Sequence, residues 1–192
     1  NVIHSHSHIM LLGLLFNGLV VLIWNNFTNG IDKKSYKLFL ALQACIAAML
    51  VAFVLQGYAF FSILFSTLHL WLSYVFLIRL WKRLNGNKAI LKLIKLGIIF
   101  HFFSSIGPYC LGPLMVFEMQ SSPWYNQAVF FYLHFQFFGV LFLWFLALLF
   151  KSIKAELHKN LPLILAVVII GLFAHSLDYN FDHWLINTIG GI

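Results

Sequence analysis

Charge is what this sequence has least of, since only 9% of its 192 residues are Asp, Glu, Lys or Arg and five of them are acidic. Soluble domains carry about a quarter charged residues and are roughly half apolar. Here 62% of the residues are hydrophobic and the mean hydropathy is +0.92. The composition therefore excludes an ordinary soluble domain and favours a membrane protein.

Cysteine and the motifs of common enzyme classes are also scarce. The two cysteines, Cys45 and Cys110, lie within or at the edge of apolar runs at different depths. We interpret them as small buried side chains rather than as a disulfide. The sequence has no Gly-rich phosphate loop, no HExxH motif and no nucleophile–base constellation, which disfavours a hydrolase or a nucleotide enzyme. Whether the protein is an enzyme at all stays open.

What the sequence does contain is long apolar runs. A span needs about 20 apolar residues, so the chain has room for about six. We predict an all-α, polytopic transmembrane helical bundle that forms a single domain over residues 1–192. Residue 1 is Asn rather than Met, and we expect residues to be missing at both ends. The predicted spans are 5–24, 38–56, 60–80, 90–110, 127–150 and 162–180.

The few charges are placed unevenly along the chain. All twelve basic residues fall in clusters after spans 1, 3 and 5, whereas the other side carries Glu118, Asp178 and Asp182. Cytoplasmic loops of membrane proteins are enriched in Lys and Arg, so we predict that the N-terminus lies outside, in a bacterial inner membrane. The net charge of +7 is then a topology signal, and no nucleic-acid partner is expected. The basic residues are Lys33, Lys34, Lys37, Arg79, Lys82, Arg83, Lys88, Lys92, Lys95, Lys151, Lys154 and Lys159.

Polar and small residues recur at helical spacing within the spans. The face of a transmembrane helix that packs against protein carries such residues, because the lipid-facing side is apolar. We therefore predict inward stripes in four spans, and a polar group set among phenylalanines in span 5. The stripes are His6, Met10, Gly13 and Asn17; Ser62, Ser66, His69 and Ser73; Gly97, His101, Ser104, Ser105 and Pro108; and Gly171, His175, Asp178 and Asp182. The span 5 group is Tyr132, His134, Gln136 and Gly139.

Histidine is concentrated toward one side of the predicted membrane. The segment HSHSH, residues 4–8, precedes the first apolar run, and seven of the nine histidines fall in the outer half by the predicted topology. Ionisable residues within spans are costly and usually functional, and neutral imidazole is the commonest metal ligand. We predict a cofactor site from His4, His8, His101, His134 and His175, with His4, His6, His8 and His134 as candidate metal ligands. His69 is instead expected to bond to a neighbouring helix.

Two stretches of the chain resemble known membrane proteins. HSHIMLLGLLFNGLVVLI resembles the second helix of haem–copper oxidase subunit I, in which a His near the outer end ligates the low-spin haem. FYLHFQFFG and SSIGPYCLGPLM are similar to segments of a bacterial family of subunit-I-like membrane proteins with a Tyr-Leu-His-Phe-Gln motif. The resemblance covers residues 4–22 and 100–140, and implies one haem (haem b) or one metal centre near the outer face. Its ligands would be His8 or His4 together with His134.

The chain departs from the oxidases in ways that limit this expectation. It has about six spans rather than about twelve, and it has no adjacent His pair. Oxygen reduction is therefore not carried over. We predict a haem- or copper-binding protein in electron transfer or small-gas handling, with zinc as another possible metal. The alternatives are a non-catalytic accessory subunit of a larger membrane complex and a metal transporter. The expected partners are the lipid bilayer, other membrane subunits or an electron-transfer partner.

Two further expectations concern the surroundings of the centre. Tyr132, Gln136 and Asp178 are expected to orient the ligating imidazoles through hydrogen bonds. Three of the four prolines and two glycines lie within residues 107–125. We predict that this segment is not a continuous helix and that it lies as an ordered loop over the outer mouth of the bundle.

Overall fold

In a computed structural model of the chain, the described residues form helices and no strand. They are 6, 8–30, 32–154, 156–181, 184 and 188, without the side chains of 175, 176 and 178–180. The all-α prediction is confirmed. The chain divides into two compact units, Asn1–Gly86 and Asn87–Ile192, and each is described by itself. That residues 1–192 form a single domain stays a prediction.

Most of the helices are long enough to cross a bilayer. Five apolar stretches meet the length and hydropathy of a membrane span, and Leu161–Ala174 is a shorter apolar helix at the sixth predicted position. The protein is therefore a multi-pass membrane protein, while its orientation stays a prediction. The helices are α1 (Ile9–Phe27), α2 (Lys33–Gln56), α3 (Phe60–Arg83), α4 (Lys88–Ser104), α5 (Ile106–Val116), α6 (Pro123–Ser152) and α7 (Leu161–Asn180). The five spans are α1, α2, α3, α4 with α5, and α6.

The first unit is held together by apolar contacts among α1, α2 and α3. Leu12 of α1 packs in one cluster with Ile46, Met49 and Phe53 of α2. Farther along α1, the buried Trp24 meets Phe76 of α3 edge-to-face, with ring centroids 5.0 Å apart. Burying side chains of this size contributes about 1.5–3 kcal/mol each in a soluble protein. In a bilayer the gain comes more from close packing than from removal of water.

The acidic residue Asp32 connects the start of α2 to two arginines at the end of α3. Asp32, just before α2, is bonded to Arg83 and accepts a hydrogen bond of 2.6 Å from Nη2 of Arg79. Arg79 also donates through Nε to Oγ of Ser35, at 3.1 Å. The hydrogen bond from Ser35, together with the two guanidinium groups, lowers the pKa of Asp32 from 3.8 to about 2. Asp32 thus ties the start of α2 to the end of α3.

We expect the variant Asp32→Asn to unfold at a lower temperature than the wild-type chain at neutral pH. A carboxyl group whose pKa is depressed by folding stabilises the protein above its unfolded pKa and loses that effect as pH falls through its folded pKa. The difference between the two proteins should therefore shrink from about pH 4 to about pH 2. Thermal unfolding in detergent across this range measures it. Glu156→Gln, at an exposed carboxylate, is the matched control, and an equal effect of both variants would contradict the role of Asp32.

In the second unit, α4 and α6 approach closely at a glycine. A methyl group placed on Gly97 would lie 2.7 Å from Cδ1 of Trp144 and would also collide with Nε1 of the same ring. Trp144 is fully buried, and its Nε1 donates a hydrogen bond of 3.1 Å to the carbonyl oxygen of Ile94. The close packing of α4 and α6 therefore requires glycine at position 97, because the Trp144 ring fills the space that a side chain would occupy.

The prediction that residues 107–125 form a loop was wrong over most of their length, although the segment is not one continuous helix. α5 continues through both Pro108 and Pro113, and only residues 117–122 connect it to α6. Pro108 lies in the first turn of α5, directly after a break in the helix at Ser105. Proline has no backbone N–H and its ring blocks the preceding turn, but at this position there is no preceding helical turn to disturb. Helices within membranes tolerate an internal proline such as Pro113. The glycine Gly107 faces α6, where an added methyl group would lie 2.5 Å from the carbonyl oxygen of Ala128.

Candidate functional site

The N-terminal histidines are only partly within the described residues. His4 lies outside them, and His6 is exposed. His8 is partly buried, and its ring stacks on Phe53 at a centroid distance of 4.5 Å. Its Nε2 is 3.1 Å from the hydroxyl oxygen of Tyr58, within hydrogen-bonding distance. His8 is therefore oriented by an aromatic ring and a hydroxyl group of the first unit.

The inward stripe predicted for the first span was wrong at its outer end. His6 is exposed, and 39% of Met10 is exposed, whereas Asn17 is buried as predicted. The cause is a π-helix over Ile9–Phe16. A π-helix has more residues per turn than the 3.6 of an α-helix, so residues at α-helical spacing do not share one of its faces. The residues that face the core there are Leu12 and Phe16.

Two π-helical segments occur within the described residues, and each begins directly after a candidate histidine. Ile9–Phe16 follows His8, and Phe135–Leu141 follows His134. π-helices are rare, usually no longer than one turn, and frequent at functional sites. This coincidence is the structural feature that most clearly distinguishes His8 and His134 from the other histidines.

His134 is buried in the second unit and bonds to the backbone of α7. Its Nε2 is 2.9 Å from the carbonyl oxygen of Ile169. A carbonyl oxygen can only accept, so Nε2 carries the proton, and in the neutral ring Nδ1 keeps the lone pair. Four phenylalanine rings surround the imidazole at centroid distances of 5.1–5.8 Å. They are Phe130, Phe135, Phe138 and Phe173.

His101, also predicted as a ligand, belongs to a buried polar cluster between α4 and α6. The amide nitrogen of Gln136 lies 3.0 Å from Nδ1 of His101 and 2.8 Å from Oγ of Ser104. Ser104 in turn donates to the carbonyl oxygen of His101 at 2.8 Å. Because the Ser104 hydroxyl proton is used in this way, its oxygen accepts from the Gln136 amide. An amide nitrogen can only donate, so the Gln136 amide also donates a hydrogen bond to Nδ1 of His101.

This arrangement fixes the tautomer of His101. With Nδ1 accepting a hydrogen bond, the proton of the neutral ring is on Nε2. His101 can ligate a metal only if Gln136 turns away from it, so its role as a ligand stays a prediction. Gln136 bonds to the imidazole of His101, and its predicted role in orienting a ligating imidazole stays a prediction.

The remaining predicted residues have different outcomes. Ser62, His69 and Ser73 of α3 are buried, as the stripe predicted, and so are Ser104 of α4 and Ser105 directly after it. His69 contacts Phe16, but its Nε2 has no hydrogen-bond partner among the described residues, so the expected bond from this nitrogen to a neighbouring helix is not seen there.

The stripe predicted for α7 was wrong at Gly171, which is exposed. Ile169, two residues earlier, is buried instead. The side chains of His175 and Asp178 lie outside the described residues, as does Asp182. Tyr132 is partly buried, and its Cβ would lie 2.9 Å from a methyl group on Gly107.

Sequence reasoning missed several partners of these histidines. No sequence signal could identify the carbonyl group of Ile169 as the acceptor for His134, since every residue has a backbone carbonyl. Tyr58, in the turn after α2, follows a glycine and could have been noted as a polar aromatic group at a helix end. Gln43 of α2, whose amide nitrogen is buried without a partner, was missed because it does not share a stripe with other polar residues.

No metal-binding group is evident in the part of the chain that the structure describes. There, no three or more His, Cys, Asp or Glu side chains are grouped so that they could hold a metal ion. His8 belongs to the first unit and His134 to the second, so the centre predicted to join them stays a prediction. No protein-family model, curated protein or solved structure matches the chain, and the likeness to haem–copper oxidase subunit I stays a resemblance.

Proposed function

We propose that this membrane protein holds a histidine-ligated redox centre, haem or copper, and that His134 is one of its ligands. The observation that carries the proposal is the orientation of the His134 ring. Its Nε2 donates to a backbone carbonyl group, which leaves Nδ1 unprotonated in the neutral ring. Metal-ligating histidines characteristically donate their other ring N–H to a carbonyl or carboxylate group, which fixes the tautomer and raises the basicity of the ligand.

The surroundings of His134 suit a redox centre. Phe130, Phe135, Phe138 and Phe173 exclude water from the imidazole. Burial in an apolar shell and the choice of axial ligand are two means by which a protein sets the potential of haem iron. If both axial positions of a haem are filled, the role is electron transfer. An open position allows a small gas to bind.

The π-helix that begins after His134 supports the same proposal. His134, directly before the π-helix Phe135–Leu141, bonds to α7, and Gln136 within it bonds to α4. The equivalent position of His8, before Ile9–Phe16, makes it the next candidate ligand. We further propose a bacterial inner membrane as the location, and other membrane subunits or an electron-transfer protein as partners.

Metal analysis of purified variants tests the proposal. The full chain is purified in mild detergent, and iron and copper are measured per chain. We expect one of the two metals in the wild-type protein and a loss of more than ~10-fold in His134→Gln, since loss of even a partner of a ligand costs ~10–100-fold in affinity. His8→Gln, His101→Gln and His4→Gln then identify the other ligands.

The matched control is His158→Gln, at an exposed histidine whose Nδ1 accepts a hydrogen bond from the backbone of Asn160. It should retain the full metal content. Size-exclusion chromatography shows whether each variant is folded. A folded His134→Gln protein with undiminished metal content would contradict the proposal, as would a wild-type protein with neither metal.

A further inference from the structure

Each helix of the first unit carries a buried polar group without a hydrogen-bond partner among the described residues. Among the described residues, the buried side-chain atoms with no hydrogen-bond partner are Oδ1 and Nδ2 of Asn17, Nε2 of Gln43 and Nε2 of His69. Asn17 is on α1, Gln43 on α2 and His69 on α3. Only 4% of Asn17 and 2% of His69 are exposed.

Contacts between α1 and α2 put Asn17 and Gln43 at one level. A methyl group on Gly13 would lie 3.4 Å from Cγ2 of Ile46. The two helices run in opposite directions because only a short link joins them. Four residues forward from Gly13 is Asn17, and three residues back from Ile46 is Gln43. The two steps differ by one residue, which is ~1.5 Å along an α-helix.

A contact between α1 and α3 brings His69 to the same level. The ring of His69 lies 6.2 Å from that of Phe16, the residue directly before Asn17. Asn17, Gln43 and His69 are each close to the middle of a helix long enough to cross the membrane. The polar groups therefore share a level near the middle of the span.

Leaving such groups unpaired is costly. A buried amide or similar group without a hydrogen bond destabilises the folded protein, and lipid offers no alternative partner. The cost for three side chains would be a large part of the net stability of a typical protein. A bound molecule that pairs with these atoms removes it.

The chemistry of the three groups specifies the molecule. The Asn17 oxygen needs a donor, the Asn17 and Gln43 nitrogens need acceptors, and Nε2 of His69 takes either role according to its tautomer. An anion cannot donate to the oxygen, and a metal cation cannot accept from the amides. Water does both, and buried waters typically make about three hydrogen bonds to otherwise unpaired groups.

We propose that Asn17, Gln43 and His69 form a shared water-binding site in the middle of the first unit. The site is distinct from His134, which belongs to the second unit.

Water-edited solid-state NMR on the full chain in liposomes, with ¹⁵N-labelled Asn, Gln, His and Trp, tests this proposal. We expect Nδ2 of Asn17, Nε2 of Gln43 and Nε2 of His69 to gain signal from water several-fold faster than Nε1 of Trp144, which is buried and bonded to Ile94. Asn26, an exposed asparagine of the same helix as Asn17, is the hydrated reference. Transfer to all three sites as slow as that to Trp144 would overturn the proposal.

A variant tests whether the water is shared. Asn17→Leu should slow transfer from water to Gln43 and His69 several-fold, whereas the matched control Asn26→Leu should leave both unchanged. Asn17→Ser, which keeps a hydroxyl group, serves if the leucine variant does not fold, and it should slow the transfer less. Unchanged transfer at Gln43 and His69 in folded Asn17→Leu and Asn17→Ser would overturn a shared site.

Discussion

Gly97→Val is expected to destabilise the protein by about 3 kcal/mol, the upper end of the range for an overpacked core. The added side chain would enter the position of the Trp144 ring. Trp144 cannot turn aside without losing its bond to the carbonyl group of Ile94. Trp144 is fully buried, so its indole ring does not already face the surface of the protein.

Equilibrium unfolding in mixed micelles, followed by tryptophan fluorescence, measures this effect. Gly171→Val is the matched control, because an added methyl group there meets nothing within 4 Å. That variant should stay within about 0.5 kcal/mol of the wild-type chain, as is usual for surface substitutions. Equal stabilities for the two valine variants would contradict the close approach of α4 and α6.

Gln136→Leu should cost about 1–3 kcal/mol, since it leaves two buried polar groups without their donor. Nδ1 of His101 and Oγ of Ser104 both accept from this amide. Leucine fills a similar volume, so the loss measures hydrogen bonding more than packing. The same unfolding assay applies.

Gln120→Leu is the control for this substitution, because Gln120 is exposed and donates a hydrogen bond of 3.3 Å to the carbonyl oxygen of Met115. A double-mutant cycle with Ser104→Ala then isolates the interaction between Gln136 and Ser104. A coupling energy of zero, or a loss no greater than that of Gln120→Leu, would show that the cluster does not form.

The buried polar faces of α3 and α4 could be predicted from sequence because the bilayer makes the rule strict. Ser62 and Ser73 lie on one polar stripe of α3, and Ser104 lies on the polar stripe of α4. Lipid cannot form hydrogen bonds with their hydroxyl groups, so these residues face protein. The same reasoning failed at Met10, because the sequence gives no sign that Ile9–Phe16 winds as a π-helix. A change in the number of residues per turn rotates the residues before the π-helix relative to those after it, so Met10 does not share the buried face of Asn17.

Proline was a poor guide within the membrane. Pro113 lies inside α5, although in a soluble protein it would usually end a helix. The partners of His134 and His101 could not be predicted for a different reason. Both depend on which helices pack together and in what register, and one partner is a backbone carbonyl group that the sequence does not distinguish.

The absorption spectrum of the purified full-length chain, reduced minus oxidised, tests the proposed redox centre most directly. We predict a redox-dependent band that is present in the wild-type protein and in His158→Gln and is lost in His134→Gln. A Soret band with sharp α and β bands identifies haem, and a broad visible band that disappears on reduction identifies copper. A flat difference spectrum from folded wild-type protein would contradict the account, as would a band that survives unchanged in folded His134→Gln.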